Sequence, residues 1–138
     1  MNDGHELSLV ERWLAAGDAC DLDVFDEVLH PEVVVHAPAG LSTHGVDAEK
    51  EVWRQGLAAI PGLRHDVQEV VRDGSTLVAR VVVTGTFERA LGELRPTGLP
   101  FRLDQAVIAH VADGRIVEAW EIANLLPLVT GPAVGGDR

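Results

Sequence analysis

The chain has 138 residues, 46% hydrophobic and 24% charged, which suits one soluble domain with a core of its own. A formal charge of −11 with a single lysine, Lys50, argues against a nucleic-acid surface, which needs clustered Lys and Arg. No apolar run approaches the roughly 20 residues that span a bilayer, and Met-Asn-Asp-Gly-His-Glu at the start lacks the basic and apolar regions of a secretory leader. The expectation is a cytoplasmic protein. Its ordered core is expected over about 7–128, with a mobile tail from Thr130. The one cysteine, Cys20, has no partner for an internal disulfide or a Cys-based metal motif.

In chain order, Leu7, Val10, Trp13 and Leu14 recur at helical spacing, which predicts a helix over Glu6 to Ala16 stopped by Gly17-Asp18. Asp21 is a good N-cap for a second short helix through Leu22, Phe25, Val28 and Leu29, ended by His30-Pro31. Val33-Val34-Val35 then predicts a short strand running into the breaker-rich His36-Ala37-Pro38-Ala39-Gly40. A third helix fits Val46 to Ala59, closed by Pro61-Gly62.

From Leu63 the periodicity changes to that of strands. Arg72-Asp73-Gly74-Ser75 joins Arg64–Val71 to Thr76–Glu88 as a hairpin, and Arg80 is placed there to pair with Glu69. Ala90 to Leu99 reads as a loop. Asp113-Gly114 then joins two long β-rich runs and carries the strongest hairpin signal in the chain. Helices first and consecutive hairpins after predict an α+β fold with helices on one side of a strongly curved antiparallel or mixed sheet, enclosing a pocket.

With Asp113-Gly114 as the turn, an unbroken register sets Ala106 opposite Glu121 and His110 opposite Val117. Asp104, Ala106, Ile108, His110, Ala119 and Glu121 then share one face. Glu121 sits among small apolar residues, where desolvation raises a carboxyl pKa toward neutrality, and Asp104 lies diagonally across from it as a second carboxylate. His36 stands at the cavity mouth as a proton shuttle, and His110 is a weaker candidate for ligand contact. Trp13 and Trp53 are core residues whose helix faces also line the pocket, suited to a flat hydrophobic ligand. His5, His30, His44 and His65 show no convergent spacing, so no metal site is expected, and nothing in the chain requires a cofactor. Trp120, Ile122, Val107, Val111 and Ile116 form an apolar stripe on the other face, expected to bury itself in a two-fold homodimer, with Glu118 at its rim or paired with Arg115.

Several segments, in order, resemble one family. These are Trp13-Leu14-Ala15-Ala16-Gly17-Asp18, Val35-His36-Ala37-Pro38-Ala39-Gly40, Thr43-His44-Gly45, Pro61-Gly62-Leu63-Arg64, Val83-Thr84-Gly85-Thr86-Phe87, Pro96-Thr97-Gly98 and Asp113 through Glu121. Together they are similar to the SnoaL-like polyketide cyclases of the nuclear transport factor 2-like superfamily. The resemblance implies a cone of helices and curved sheet open at one end, a homodimer packed through the sheet, and a small hydrophobic or polyketide-like ligand of secondary metabolism. Relatives cyclise, isomerise, dehydrate or open epoxides, or have no known catalysis, so the fold alone does not choose among reactions. In the cyclases an aspartate directly after the last-strand Trp acts as acid/base, and Glu121 occupies that position. An Asn or Asp follows the first-strand His in several relatives, where this chain has Ala37. Three functions are therefore expected in turn: acid/base chemistry on a carbonyl compound led by Glu121 with Asp104 and His36, epoxide opening by the Asp104–Glu121 pair, or non-catalytic ligand binding.

Overall fold

The computed structural model describes residues 7–130. Helix α1 (Leu9–Asp18) begins at Ser8, whose Oγ accepts the Glu11 backbone N–H while the Glu11 carboxylate accepts that of Ser8. This reciprocal cap satisfies two donors that the first helical turn leaves free. It starts the helix later than the spacing of apolar residues predicts. A 3₁₀ turn (Leu22–Val24) leads into the single-turn α2 (Phe25–Val28), and Asp21 precedes the turn without bonding it through its side chain. Strand β1 (Leu29–His36) then runs straight through Pro31. Its pairing with the last strand breaks between Leu29 and Val34, so the proline, which has no N–H, sits where no ladder bond is required.

A 3₁₀ turn (Pro38–Gly40) and the short β2 (Ser42–His44) bring the chain to α3 (Val46–Ala59), whose bounds match the sequence expectation. The hairpins follow as β3 (Arg64–Asp73), β4 (Thr76–Thr86), β5 (Pro100–Ala112) and β6 (Arg115–Ala123), and the chain closes on the short α4 (Leu126–Thr130). Thr130 thus ends a helix, and the rest of the expected mobile tail lies outside the described residues. The strands form one curved sheet in the order β2-β1-β6-β5-β4-β3, antiparallel except for the parallel β1–β6 pair. The α+β expectation, helices on one face of a mixed sheet, describes this architecture. Arg80 faces Glu69 and bonds it at 2.8 Å.

The core fills the space between helices and inner sheet face with Val10, Trp13 and Leu14 of α1, Phe25 of α2, Val33 and Val35 of β1, and Val81, Val107 and Ile116 of the hairpins. Gly17 lets α1 close on α3, because a Cβ there would overlap the Trp53 ring.

Asp113 and Gly114 both have positive φ and form the two-residue turn the sequence predicts, with Val111 opposite Ile116. The register then shifts. His110 pairs with Glu118, leaving Val117 as an extra residue in β6. Beyond this bulge each partner differs by one from the unbroken register: Glu121 faces Val107 and Trp120 faces Ile108. A one-residue slip turns every side chain of one strand to the other face of the sheet. Glu121 therefore shares the inner face with Gln105, Val107 and Ala109, while Asp104, Ile108 and His110 accompany Trp120 and Ile122 on the outer face.

Candidate active site

A cavity of about 230 Å³ lies between α3 and the inner face of β4, β5 and β6. Its lining is mostly apolar, with Trp53 and Gly56 of α3 on one side and Val83, Phe101 and Leu103 of the sheet on the other. Polar groups enter at a few points: Glu49 and Thr43, Gln105, Glu121 and His65. An apolar hollow with few convergent polar groups is the usual form of a small-molecule site.

The Glu121 carboxyl, half-buried at the cavity wall, is pushed up to about 8, first by desolvation and then by repulsion from Glu49. Among the described residues no cation contacts it to offset either effect. A carboxyl so placed holds its proton at neutral pH and releases it at modest cost, as a proton-transfer group must. Glu49 is 2% exposed and is the one buried charged residue among those described. The Thr43 hydroxyl donates to its Oε1 at 2.8 Å and the Trp53 indole N–H to its Oε2 at 3.0 Å. Burial raises its pKa although both hydrogen bonds act in the opposite direction. The cavity thus contains two carboxyls with raised pKa values, Glu49 by burial and Glu121 by burial and by Glu49.

His65, the second residue of β3, bonds through Nδ1 to Asp18 Oδ1 at 2.7 Å, while its backbone N–H donates to Asp18 Oδ2 at 2.6 Å. Its ring lies against Trp53 with centroids 5.0 Å apart. The Gln105 amide lines the same cavity, and its Oε1 is buried without a partner. An unpaired acceptor costs free energy unless a ligand or water satisfies it.

Of the sequence candidates, Glu121 and Trp53 line the cavity. Trp13 does not; it is fully buried in the core, its Nε1 without a partner. Asp104 is exposed on the outer face, and the Val117 bulge turns Glu121 to the inner one, so the two cannot share a pocket. His36 also faces outward, level with Trp120 across the β1–β6 pair. It stacks on that indole at 5.3 Å and bonds Glu118 at 2.7 Å through Nε2. Glu118 therefore pairs with His36 rather than Arg115. His110 meets the Trp120 edge at 4.9 Å on the same outer face. Val107 and Ile116, assigned from sequence to an outer stripe, are fully buried in the core. Among the described residues no three His, Cys, Asp or Glu side chains gather to hold a metal ion.

A sequence profile described as SnoaL-like polyketide cyclase matches residues 8–130. The chain belongs to that family. IdmH of Streptomyces antibioticus, a proposed polyketide cyclase, has 27% identity over 87% of this chain and 92% of its own, with a TM-score of 0.74. AclR of Streptomyces galilaeus, a proposed hydroxylase, has 24% identity over 87% of this chain and 75% of its own, with a TM-score of 0.71. A proposed SnoaL-like polyketide cyclase of Jannaschia has 19% identity over 94% of this chain and 100% of its own, with a TM-score of 0.78. No curated protein matches.

Three residues of this SnoaL-like cavity escape the sequence reading. Glu49 carried a signal: it lies three residues after Val46 and four before Trp53, so a charge sits on the apolar stripe of α3. An unbroken register turns Gln105 to the face opposite Glu121, and the Val117 bulge brings the two to the same one. His65 has no local signal, because its partner Asp18 is 47 residues away.

Proposed function

We propose that this SnoaL-like protein is an acid/base enzyme acting on a hydrophobic, carbonyl-bearing metabolite, with Glu121 as the proton-transfer residue. The reaction is enolate-type cyclisation, isomerisation or dehydration, carried by the chain's own side chains without a cofactor. The observation that carries this reading is the Glu121 carboxyl at the wall of an apolar cavity, held near neutrality by burial and by Glu49. In such a site a proton can pass to a carbonyl oxygen as negative charge develops there, where low polarity strengthens the hydrogen bond. Gln105 offers an amide to position the ligand, and Trp53 a flat wall.

Epoxide opening by Asp104 with Glu121 falls away, since the sheet separates them. Simple ligand storage would suit a Glu121 that is ion-paired or in water; against it stand the lack of a cation on Glu121 among the described residues and the desolvation that raises its pKa.

Native mass spectrometry of wild-type and Glu121→Gln protein equilibrated with producer-cell metabolites tests the reading. The expectation is that the variant retains a small molecule that wild type converts. The same species retained unchanged by both would count against catalysis.

Assembly as a two-fold homodimer through the outer sheet face also remains a proposal. The patch now comprises Trp120, Ile108, Ile122 and Val78, with Ile122 58% exposed. Exposed apolar surface of this kind favours a partner.

A further inference from the structure

The reading of Glu121 leaves a proton-transfer step incomplete. A carboxyl that keeps its proton at neutral pH serves as an acid, and enolate formation also needs a base. Two titratable groups with different surroundings divide such roles between them. Glu49 is a poor choice of base, because both its oxygens already accept hydrogen bonds and it lies almost fully out of solvent.

We propose that His65 is the base of this cavity and Asp18 its positioning residue. The assignment rests on the reading of Glu121 as the group that moves a proton on a carbonyl ligand. Asp18 ends α1 and is itself largely buried, at 19% side-chain exposure, and the His65 side chain is 10% exposed. One carboxylate oxygen accepts the His65 backbone N–H and the other meets Nδ1. A carboxylate can only accept, so the neutral ring carries its proton on Nδ1 and keeps a lone pair on Nε2. Nε2 has no hydrogen-bond partner among the described residues, and the ring lines the cavity.

A purely structural tie between α1 and β3 is complete with the backbone N–H bond alone, which any residue but proline could make at position 65. The second oxygen is given to an imidazole, which fixes its tautomer and would stabilise the imidazolium once formed. The neighbours of His65 fit this role. Asp18 approaches from α1, and the Trp53 indole approaches from α3, bonded on its own nitrogen to Glu49. Val83 lies opposite it on β4. The indole thus contacts the imidazole with its ring and Glu49 with its nitrogen, and all three line one cavity.

The step balances. Nε2 takes the proton from the carbon next to the ligand's carbonyl, and the C–H electron pair becomes the new C=C bond. The carbonyl π pair moves to oxygen, which takes the Glu121 proton. This leaves an enol, an imidazolium paired with Asp18, and the Glu121 carboxylate. Returning a proton to another carbon isomerises the ligand, and attack of the enol on a second carbonyl cyclises it.

5-Nitrobenzisoxazole is a suitable probe, because it is flat and apolar. Loss of its one acidic C–H proton to a base breaks the N–O bond and gives a coloured phenolate. Wild type should accelerate this opening over buffer, and His65→Gln should remove on the order of 10²-fold of the rate, as expected for a positioned base. Nitrogen-15 NMR should find the wild-type His65 proton on Nδ1, and Asp18→Asn should move it to Nε2 and lower the rate. The NMR measurement on wild type needs no variant to fold. A His65 proton on Nε2, a wild-type rate no faster than buffer, or an unchanged His65→Gln rate would each overturn the assignment. Glu121→Gln separates the two readings. A rate that follows Glu121 and ignores His65 makes Glu121 the base and sinks the His65 assignment alone.

Discussion

Replacing Glu121 with glutamine should stabilise the protein at neutral and alkaline pH. The folded-state pKa is raised from 4.5 to about 8. Below 4.5 the carboxyl is protonated in both folded and unfolded chains, and stability does not depend on it. Between 4.5 and 8 the unfolded chain ionises while the folded one keeps its proton, so stability falls as pH rises. Above about 8 both ionise and the loss levels off. At 1.36 kcal/mol per unit the cost reaches about 3 kcal/mol at pH 7 and at most about 5 kcal/mol above pH 8. Glutamine keeps the shape without the charge and escapes this cost. Urea unfolding followed by tryptophan fluorescence, at several pH values between 4 and 9, measures the difference. The variant should gain on wild type progressively through that window. Parallel curves would refute the reasoning, because they would mean that Glu121 ionises in the fold as freely as in water. Stability gained where function is lost is the usual mark of a group kept for its chemistry.

Trp53→Phe keeps the aromatic wall but removes the donor to Glu49; it should cost about 1–3 kcal/mol in urea unfolding, the penalty of a buried acceptor left short. Gly17→Ala places a methyl group against the Trp53 ring and should cost about 1–3 kcal/mol, read as a lowered melting temperature. Trp120→Glu on the outer sheet face should convert a dimer to monomer or aggregate in analytical ultracentrifugation. A stable dimer of that variant would place the interface elsewhere.

Most of the fold was legible because it rests on local patterns. The α3 bounds follow from apolar spacing and Pro61-Gly62, and the last hairpin turn follows from Asp113-Gly114, which accepts positive φ at both positions. The site was legible only where no register was needed. Glu121 was placed by Ala119 in its own strand and by its position directly after Trp120, neither of which depends on the register, whereas Ala106 and Ile108, counted across the hairpin as its companions, lie on the other face. Asp104 and His110 were placed by counting across the hairpin, and one extra residue, Val117, reverses that count. A bulge at a β-branched residue leaves no compositional mark, since Val117 would suit a regular strand equally well. His36 was misplaced for another reason: β1 extends through it, and alternation after the core-facing Val33 and Val35 turns it to the outer face, beside Trp120 of β6. The Asp18–His65 bond is likewise a meeting of α1 with β3, visible only once the chain is folded.

The central claim is that Glu121 moves a proton on a carbonyl ligand bound in this cavity. Its most direct measurement is deuterium uptake from D2O, read by mass spectrometry, into the ligand retained by the Glu121→Gln protein. Returned to wild type, that ligand should gain deuterium at the carbon next to its carbonyl, or appear as deuterated product, while the variant labels it no faster than buffer. Equal labelling by both proteins would contradict the account.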